Sequence, residues 1–239
     1  MILTALNLDQ IDFWEGSVLL VDKPYGYTSF NVVYEIKKAI CRESRRKLKI
    51  GHAGTLDPLA TGLLILCTGK LTKEIDQYQA KIKKYTGALT LGATRPTFDK
   101  ESEIDQNYEV AHIQKEDMEN VRLSFLGEQM MTPPIHSAVK VGGKRAYELA
   151  RQGKEPILNP KAIIIEDFQI DCQHFPEIHF EVTCSKGTYI RSLASEFGKR
   201  LNSGAYLSFL RREAIGEYSV QDAWNLQELK KFLNHSRER

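Results

Sequence analysis

The longest uninterrupted apolar runs of this chain, VLLV at 18–21 and LLILC at 63–67, are only strand-sized. The first runs into the turn KPYGY; the second follows the glycine-rich stretch GHAGTLDPLATG. Neither approaches the ~18 apolar residues that a bilayer-spanning helix needs. Apolar runs of this length bounded by Gly and Pro read as buried strands. Between them, Thr28 or Ser29 can cap a helix whose apolar face is Val32, Val33, Ile36 and Ile40. Further along, 51–60 reads as a loop, 71–78 as a short helix and 84–92 as a half-buried strand. Residues 94–108 read as a polar surface loop, and 112–125 as a helix with Ile113, Val121 and Leu123 or Phe125 facing in. An excursion at 131–143 precedes a short helix at 144–151. Strands at 162–170 and 177–184, a helix at 190–201, an edge strand at 213–220 and a closing helix at 226–233 complete the reading. Strands and helices mix without strict βαβ alternation, which predicts an α+β fold on a mixed sheet. The 239 residues, 42% of them hydrophobic, suffice for one large core or two small ones.

Composition excludes several classes. The N-terminus MILTALNLDQIDFWEG lacks the basic segment and small-residue cleavage site of a signal peptide, so a cytoplasmic, membrane-free protein is expected. Four cysteines occur and none forms a CxxC pair. Cys172, His174 and His179 fit no common zinc spacing, so reduced cysteines and no metal are expected. The formal net charge is only +2, but its distribution is uneven. Residues 37–49, 140–154 and 186–200 are basic, as are Lys70, Lys73, Lys81, Lys83 and Lys84, whereas 99–119 holds much of the acid. Any one run suits an ordinary solvated face; their segregation suits a basic face against a polyanion.

Three stretches carry candidate chemistry. In KIGHAGTLDPLATGLL, Gly51 and Gly54 permit backbone that a side chain would forbid, and Pro58 restricts Asp57 to extended geometry. The result is one carboxylate held at the head of a buried strand. It reads either as a turn residue or as a catalytic group on a rigid loop. In CSKGTYIRSLA, Arg191 falls in the first turns of a helix, either solvated or paired with a carboxylate through its planar donors. Tyr85 opens an alternating strand; its ring reads as core, or as a stacking surface beside a site.

Taken in order, GSVLLVDKPYGYTS, KIGHAGTLDPLATGLL, KKYTGALTLGA, PPIHSAVKVGGKRAYELARQG, CSKGTYIRSLA and GAYLSFLRREAIG resemble the bacterial tRNA pseudouridine synthase B family over nearly the whole chain. The resemblance implies the pseudouridine synthase fold, a mixed, largely antiparallel central sheet flanked by helices. It also implies one catalytic domain over residues 1–239 with a flexible RNA-clamping insertion at about 127–155. The chain ends about thirteen residues after Leu226, so a C-terminal RNA-binding domain is expected to be missing. The implied reaction isomerises the T-loop uridine (U55) of tRNA to pseudouridine without a cofactor, by a monomer acting on the T-arm without a protein partner. A lone carboxylate then suffices, because the leaving uracil returns to the same sugar; a glycosidase needs two acids. By similarity Asp57 is the nucleophile, Arg191 sits against it and favours its charged form, and Tyr85 stacks on the uracil and takes the final proton. Tyr189 and Leu210 line the uridine pocket, His52 helps to hold the extruded nucleotide, and Lys23 and Asp99 join the substrate-binding set. The order of attack at the sugar, attack at C6 or glycal formation stays open.

The chain departs from the family pattern at RPTFDKES, where TDTxDxEG is usual, so Pro96 replaces an acid; His136 stands where tyrosine is usual, and Ala53 where threonine is. Two other functions share this fold: a non-catalytic RNA-binding or tRNA-folding protein, and a guide-RNA-dependent synthase.

Overall fold

A computed structural model describes residues 2, 11–42, 44, 46–137, 139–150, 152–153 and 156–235. In chain order its elements are β1 (Val18–Lys23), α1 (Ser29–Cys41), β2 (Ile50–His52), β3 (Thr61–Thr68), α2 (Ile75–Ala80), β4 (Lys83–Leu91), β5 (Ala93–Thr94) and β6 (Gln106–Asn107). There follow α3 (Lys115–Ser124), β7 (Gly127–Met131), β8 (Lys140–Val141), β9 (Lys144–Arg145), α4 (Ala146–Ala150), β10 (Lys161–Asp171) and β11 (Glu177–Cys184). The chain closes with α5 (Ile190–Arg200), β12 (Ala205–Ile215), β13 (Tyr218–Ser219), β14 (Trp224–Asn225) and α6 (Leu226–His235). The fold is α+β with mixed, largely antiparallel sheet, as the sequence predicts. The chain divides into two compact units, one of Met1–Tyr85 with Arg211–Arg239, the other of Thr86–Leu210.

In the first unit β1 lies antiparallel to β3, from Val18 opposite Cys67 to Lys23 opposite Gly62. Strand β14 adds parallel to β1, and β2 adds antiparallel to β3. Alternate residues of β1 and β3 enter two different cores. Leu19, Val21, Leu64 and Leu66 meet Val32, Ile36 and Ile40 of α1 and Leu229 and Leu233 of α6. Val18, Leu20, Leu63, Ile65 and Cys67 meet Ile215 and Val220 on the other side. Burial on both faces is why these strands read as continuous apolar runs rather than as alternating ones. Helix α1 begins where expected: Thr28 caps it, and the Asn31 side chain returns the bond in a capping box.

In the second unit β10 pairs antiparallel with β11 and with β7, while β4 lies beside β11 and β12 beside β4. Its core holds Phe125, Phe168 and Phe197, with ring centroids 5.9–6.2 Å apart. Helix α5 buries Ile190, Leu193, Ala194 and Phe197 along one face.

Several expectations need correction. Gly51 and His52, expected in the 51–60 loop, belong to strand β2, because β3 offers them an open edge. The short helix expected at 71–78 is a 3-10 turn, Gly69–Glu74, that passes into α2. Leu123 is exposed and Phe125 is buried, and Met118 is the residue that α3 buries. Lys144 and Arg145 belong to the hairpin of β8 and β9, which shortens the helix that follows. The edge strand expected at 213–220 is divided: 213–215 end the longer β12, whose Arg211 and Arg212 pair in parallel with Thr61 and Gly62 of β3, and Tyr218–Ser219 form β13, which turns back antiparallel onto β12. Among the described residues no helix is long and apolar enough to cross a membrane. Cys67 and Cys184 are buried, and Cys41 and Cys172 are partly so.

Candidate functional site

Asp57 sits in the loop between β2 and β3, half-buried, and the residues on either side of it are pinned. On one side Ser29, the first residue of α1, accepts a hydrogen bond from Leu56 N (2.9 Å) and donates to Leu56 O (3.1 Å). On the other side Pro58 O accepts from Gly26 N at 2.9 Å. Ala60 N donates to Asp57 O at 3.1 Å and closes the turn. The extended conformation that Pro58 imposes on the preceding residue therefore has support from both flanks.

Beneath the loop lies Lys23, fully buried. Its ammonium donates to the carbonyls of Pro24 (3.0 Å), Tyr27 (2.6 Å) and Pro58 (3.3 Å). Three donors meet three acceptors, so the group is satisfied without solvent. Burial pushes its pKa from 10.5 down to about 8, with the charge of Arg212 adding to the lowering while Asp57 and Asp22 oppose it. Lys23 thus reaches Asp57 electrostatically and anchors the residue after it.

Two arginines of β12 complete this part of the site, and the sequence reading assigned neither. Arg212, 1% exposed, donates from Nε to Leu63 O (2.8 Å) and from Nη2 to Gly54 O (3.1 Å), tying the loop to the strand it precedes. Gly62 makes room for this strand: a Cβ there would lie 2.3 Å from Arg212 O. Arg211 holds Asp22 through two bonds, Nη1 to Oδ1 at 3.0 Å and Nη2 to Oδ2 at 2.8 Å. The available signal was a pair of arginines inside an otherwise apolar strand pattern, but their partners lie about 150 to 190 residues away in sequence. His52 is half-buried at the end of β2, and its imidazole pKa is lowered by burial first and by Arg212 second, against a raising contribution from the Gly54 backbone. Tyr85 is buried on the inward row of β4.

The second unit holds Arg191, Asp99, Tyr189 and Leu210. Tyr189 stands at the N-terminal boundary of α5 and is half-buried; Leu210 is buried. Arg191, one residue into the helix, is itself buried. It donates from Nη1 to Thr97 O (3.1 Å) and from Nη2 to His136 O (3.0 Å), and its Nε lies 3.6 Å from Asp99 Oδ2. Thr97 and Asp99 are buried as well, within a 94–108 segment that is otherwise largely exposed, as expected of a surface loop. The departure at RPTFDKES is absorbed locally. Thr97 N donates to Ser102 Oγ, the Thr97 and Ser102 hydroxyls share a 2.8 Å bond, and Arg95 reaches the Ser102 carbonyl. His136 contributes its backbone carbonyl to Arg191, so that contact is independent of the side chain at this position.

Residues 39–190 match the family described as TruB family pseudouridylate synthase (N terminal domain). The chain belongs to the TruB family of pseudouridylate synthases. It is 47% identical over 225 residues to tRNA pseudouridine synthase B of Phocaeicola vulgatus, covering 94% of this chain and 96% of the relative. Over 214 residues it is 49% identical to the protein of the same name from Flavobacterium johnsoniae, covering 89% and 93%. Among solved structures it resembles a chain of a Cbf5-Nop10-Gar1 complex, with a TM-score of 0.68 and 26% identity over 95% of this chain. It spans 56% of that longer chain. For a TruB-family enzyme the two arrangements have a clear chemical character: a carboxylate on a loop whose flanks are pinned and whose next residue is anchored by a buried lysine, and a buried guanidinium bonded to carbonyls beside an acid. Among the described residues no group of three or more His, Cys, Asp or Glu side chains could hold a metal ion.

Proposed function

We propose that this protein isomerises the T-loop uridine (U55) of tRNA to pseudouridine, with Asp57 as the nucleophile acting on a flipped-out nucleoside. The observation that carries this reading is the fixation of Asp57 from both flanks, by Ser29 on Leu56 and by Gly26 and Lys23 on Pro58. A nucleophile must be held in its productive orientation before the substrate arrives, and the pinned flanks of Asp57 support that role.

The bond from the ribose C1′ to N1 breaks, the uracil turns, and C1′ bonds to C5, which gives up its proton while the released N1 gains one. Nothing is consumed, so one carboxylate is enough where hydrolysis would need two. Tyr85 supplies the ring for stacking and accepts the C5 proton. Arg191 supplies the positive charge that accompanies the nucleophile. Tyr189 and Leu210 line the uridine pocket, and His52 holds the extruded nucleotide. Flipping costs roughly a few kcal/mol, one aromatic stack returns about 1–3 kcal/mol, and basic side chains add phosphate contacts. The names of the relatives support tRNA as the substrate.

The test is incubation of the purified protein with an unmodified tRNA transcript, followed by mapping of pseudouridine. Product at the T-loop uridine with protein alone supports the proposal. Product only after a guide RNA is added would identify a guide-dependent synthase, and binding without product an RNA-folding protein.

A further inference from the structure

Three aromatic side chains stand out on the surface of the first unit: Tyr25, Phe30 and Tyr34, with 63%, 70% and 54% of their surface in solvent. The exposure of an apolar ring is unfavourable in isolation, and such a row beside a catalytic loop invites a ligand. Phe30 and Tyr34 are four residues apart on α1 and share a face; Lys37 and Lys38, one further turn along, are exposed there too, and exposed Arg42 caps the helix end. No acidic side chain is exposed along α1: its single acid, Glu35, is half-buried and bonded to Lys230.

The placement of the rings relative to Asp57 is specific. Tyr25 precedes Gly26, whose N–H bonds Pro58; Phe30 follows Ser29, whose hydroxyl bonds Leu56. Each ring is thus one residue from an anchor of the loop on one side of Asp57. The contacts that pin the two flanks of Asp57 also set the backbone positions from which Tyr25 and Phe30 project.

Resting on the function proposed above, we infer that Tyr25, Phe30 and Tyr34, with Lys37, Lys38 and Arg42, form a platform for unpaired nucleotides of the substrate RNA next to the target uridine. Bases stack on the rings and the cations meet the phosphates. Both contacts are sequence-tolerant, because every base has a π-face and every nucleotide a phosphate. RNA is the occupant that the charge favours: a cationic row without exposed acid complements a polyanion.

The test compares wild type with Phe30→Ser/Tyr34→Ser, Tyr25→Ser and Lys37→Gln/Lys38→Gln. All are surface changes, and thermal melting checks that each variant is folded. Kd and KM are measured with an unmodified tRNA transcript. The aromatic double variant is expected to raise both by roughly tenfold, with kcat at saturation little changed. The lysine double variant is expected to flatten the dependence of log Kd on log salt by about 1.4, two single-strand phosphates' worth. Phe30→Trp is expected to keep affinity and to show quenched indole fluorescence when tRNA binds. If wild type makes pseudouridine yet the variants bind and turn over tRNA as wild type does, the platform is wrong while the function stands. If wild type makes none, the function fails, and the platform is then judged by binding alone; unchanged Kd in the variants overturns it. Wild type that self-associates, with the aromatic variant monomeric and its tRNA affinity intact, assigns the rings to a second copy and overturns the inference.

Discussion

Arg191 Nε and Asp99 Oδ2 lie 3.6 Å apart in an ion pair from which water is almost wholly excluded, each side chain at most 6% exposed. The arginine also donates from Nη1 to the carbonyl of Thr97 and from Nη2 to that of His136, and Asp99 Oδ1 accepts from Glu101 N at 3.0 Å. Asp99 therefore orients the guanidinium and also closes its own turn.

Asp99→Ala removes a carboxylate from beside the buried guanidinium and the acceptor of Glu101 N, so it is expected to lose stability in a denaturant titration. Asp99→Asn keeps the shape and the acceptor for Glu101, so it is expected to lose less stability. It should still slow turnover, because the Asp99 charge that orients the Arg191 guanidinium is lost. Equal stability of the alanine variant and wild type would contradict the assigned pairing.

Lys23 predicts a pH dependence. Its folded pKa, about 8, lies below the ordinary 10.5. Between these values the unfolded chain binds more protons than the folded one, so stability rises with pH across that window. Below about pH 8 the full cost of burying the cation is present. Lys23→Met removes this term. The difference in unfolding free energy between wild type and Lys23→Met is therefore expected to shift in favour of wild type from pH 8 to 10, measured by urea titration. A pH-independent difference would show that the lysine titrates normally.

A pair of glycines separates backbone strain from crowding. Gly62 has φ +102° and its added Cβ would meet the Arg212 backbone, whereas Gly26 has φ +80° with open space around it. Left-handed backbone costs a non-glycine residue about 1–2 kcal/mol, and overpacking typically adds about 1–3 kcal/mol. Gly26→Ala should show the first cost alone and Gly62→Ala both, as chemical denaturation of the two variants will show.

How far the sequence foretold these features depended on the range of the interactions. Helix α1 was legible because its cap, its capping box and its apolar stripe all lie within one short segment. Strands β1 and β3 were legible because burial on two faces leaves an unbroken apolar run. Strand β12 was misread because Arg211 and Arg212 look like a polar boundary until Asp22, Leu63 and Gly54 are brought to them. The Asp57 loop was legible as a rigid turn from Gly54 and Pro58, yet its anchors, Ser29 and Lys23, are reached only through the tertiary fold. The exposure of Phe30 and Tyr34 follows from the same stripe, since Val32, Val33, Ile36 and Ile40 leave them on the opposite face of α1.

The central claim, that a pre-oriented Asp57 carries the chemistry, is tested most directly by Asp57→Asn in a single-turnover pseudouridine assay on an unmodified tRNA transcript, with Kd measured in parallel. The account predicts no detectable product with tRNA affinity close to that of wild type. Product formed at near wild-type rate by a folded Asp57→Asn variant would contradict it.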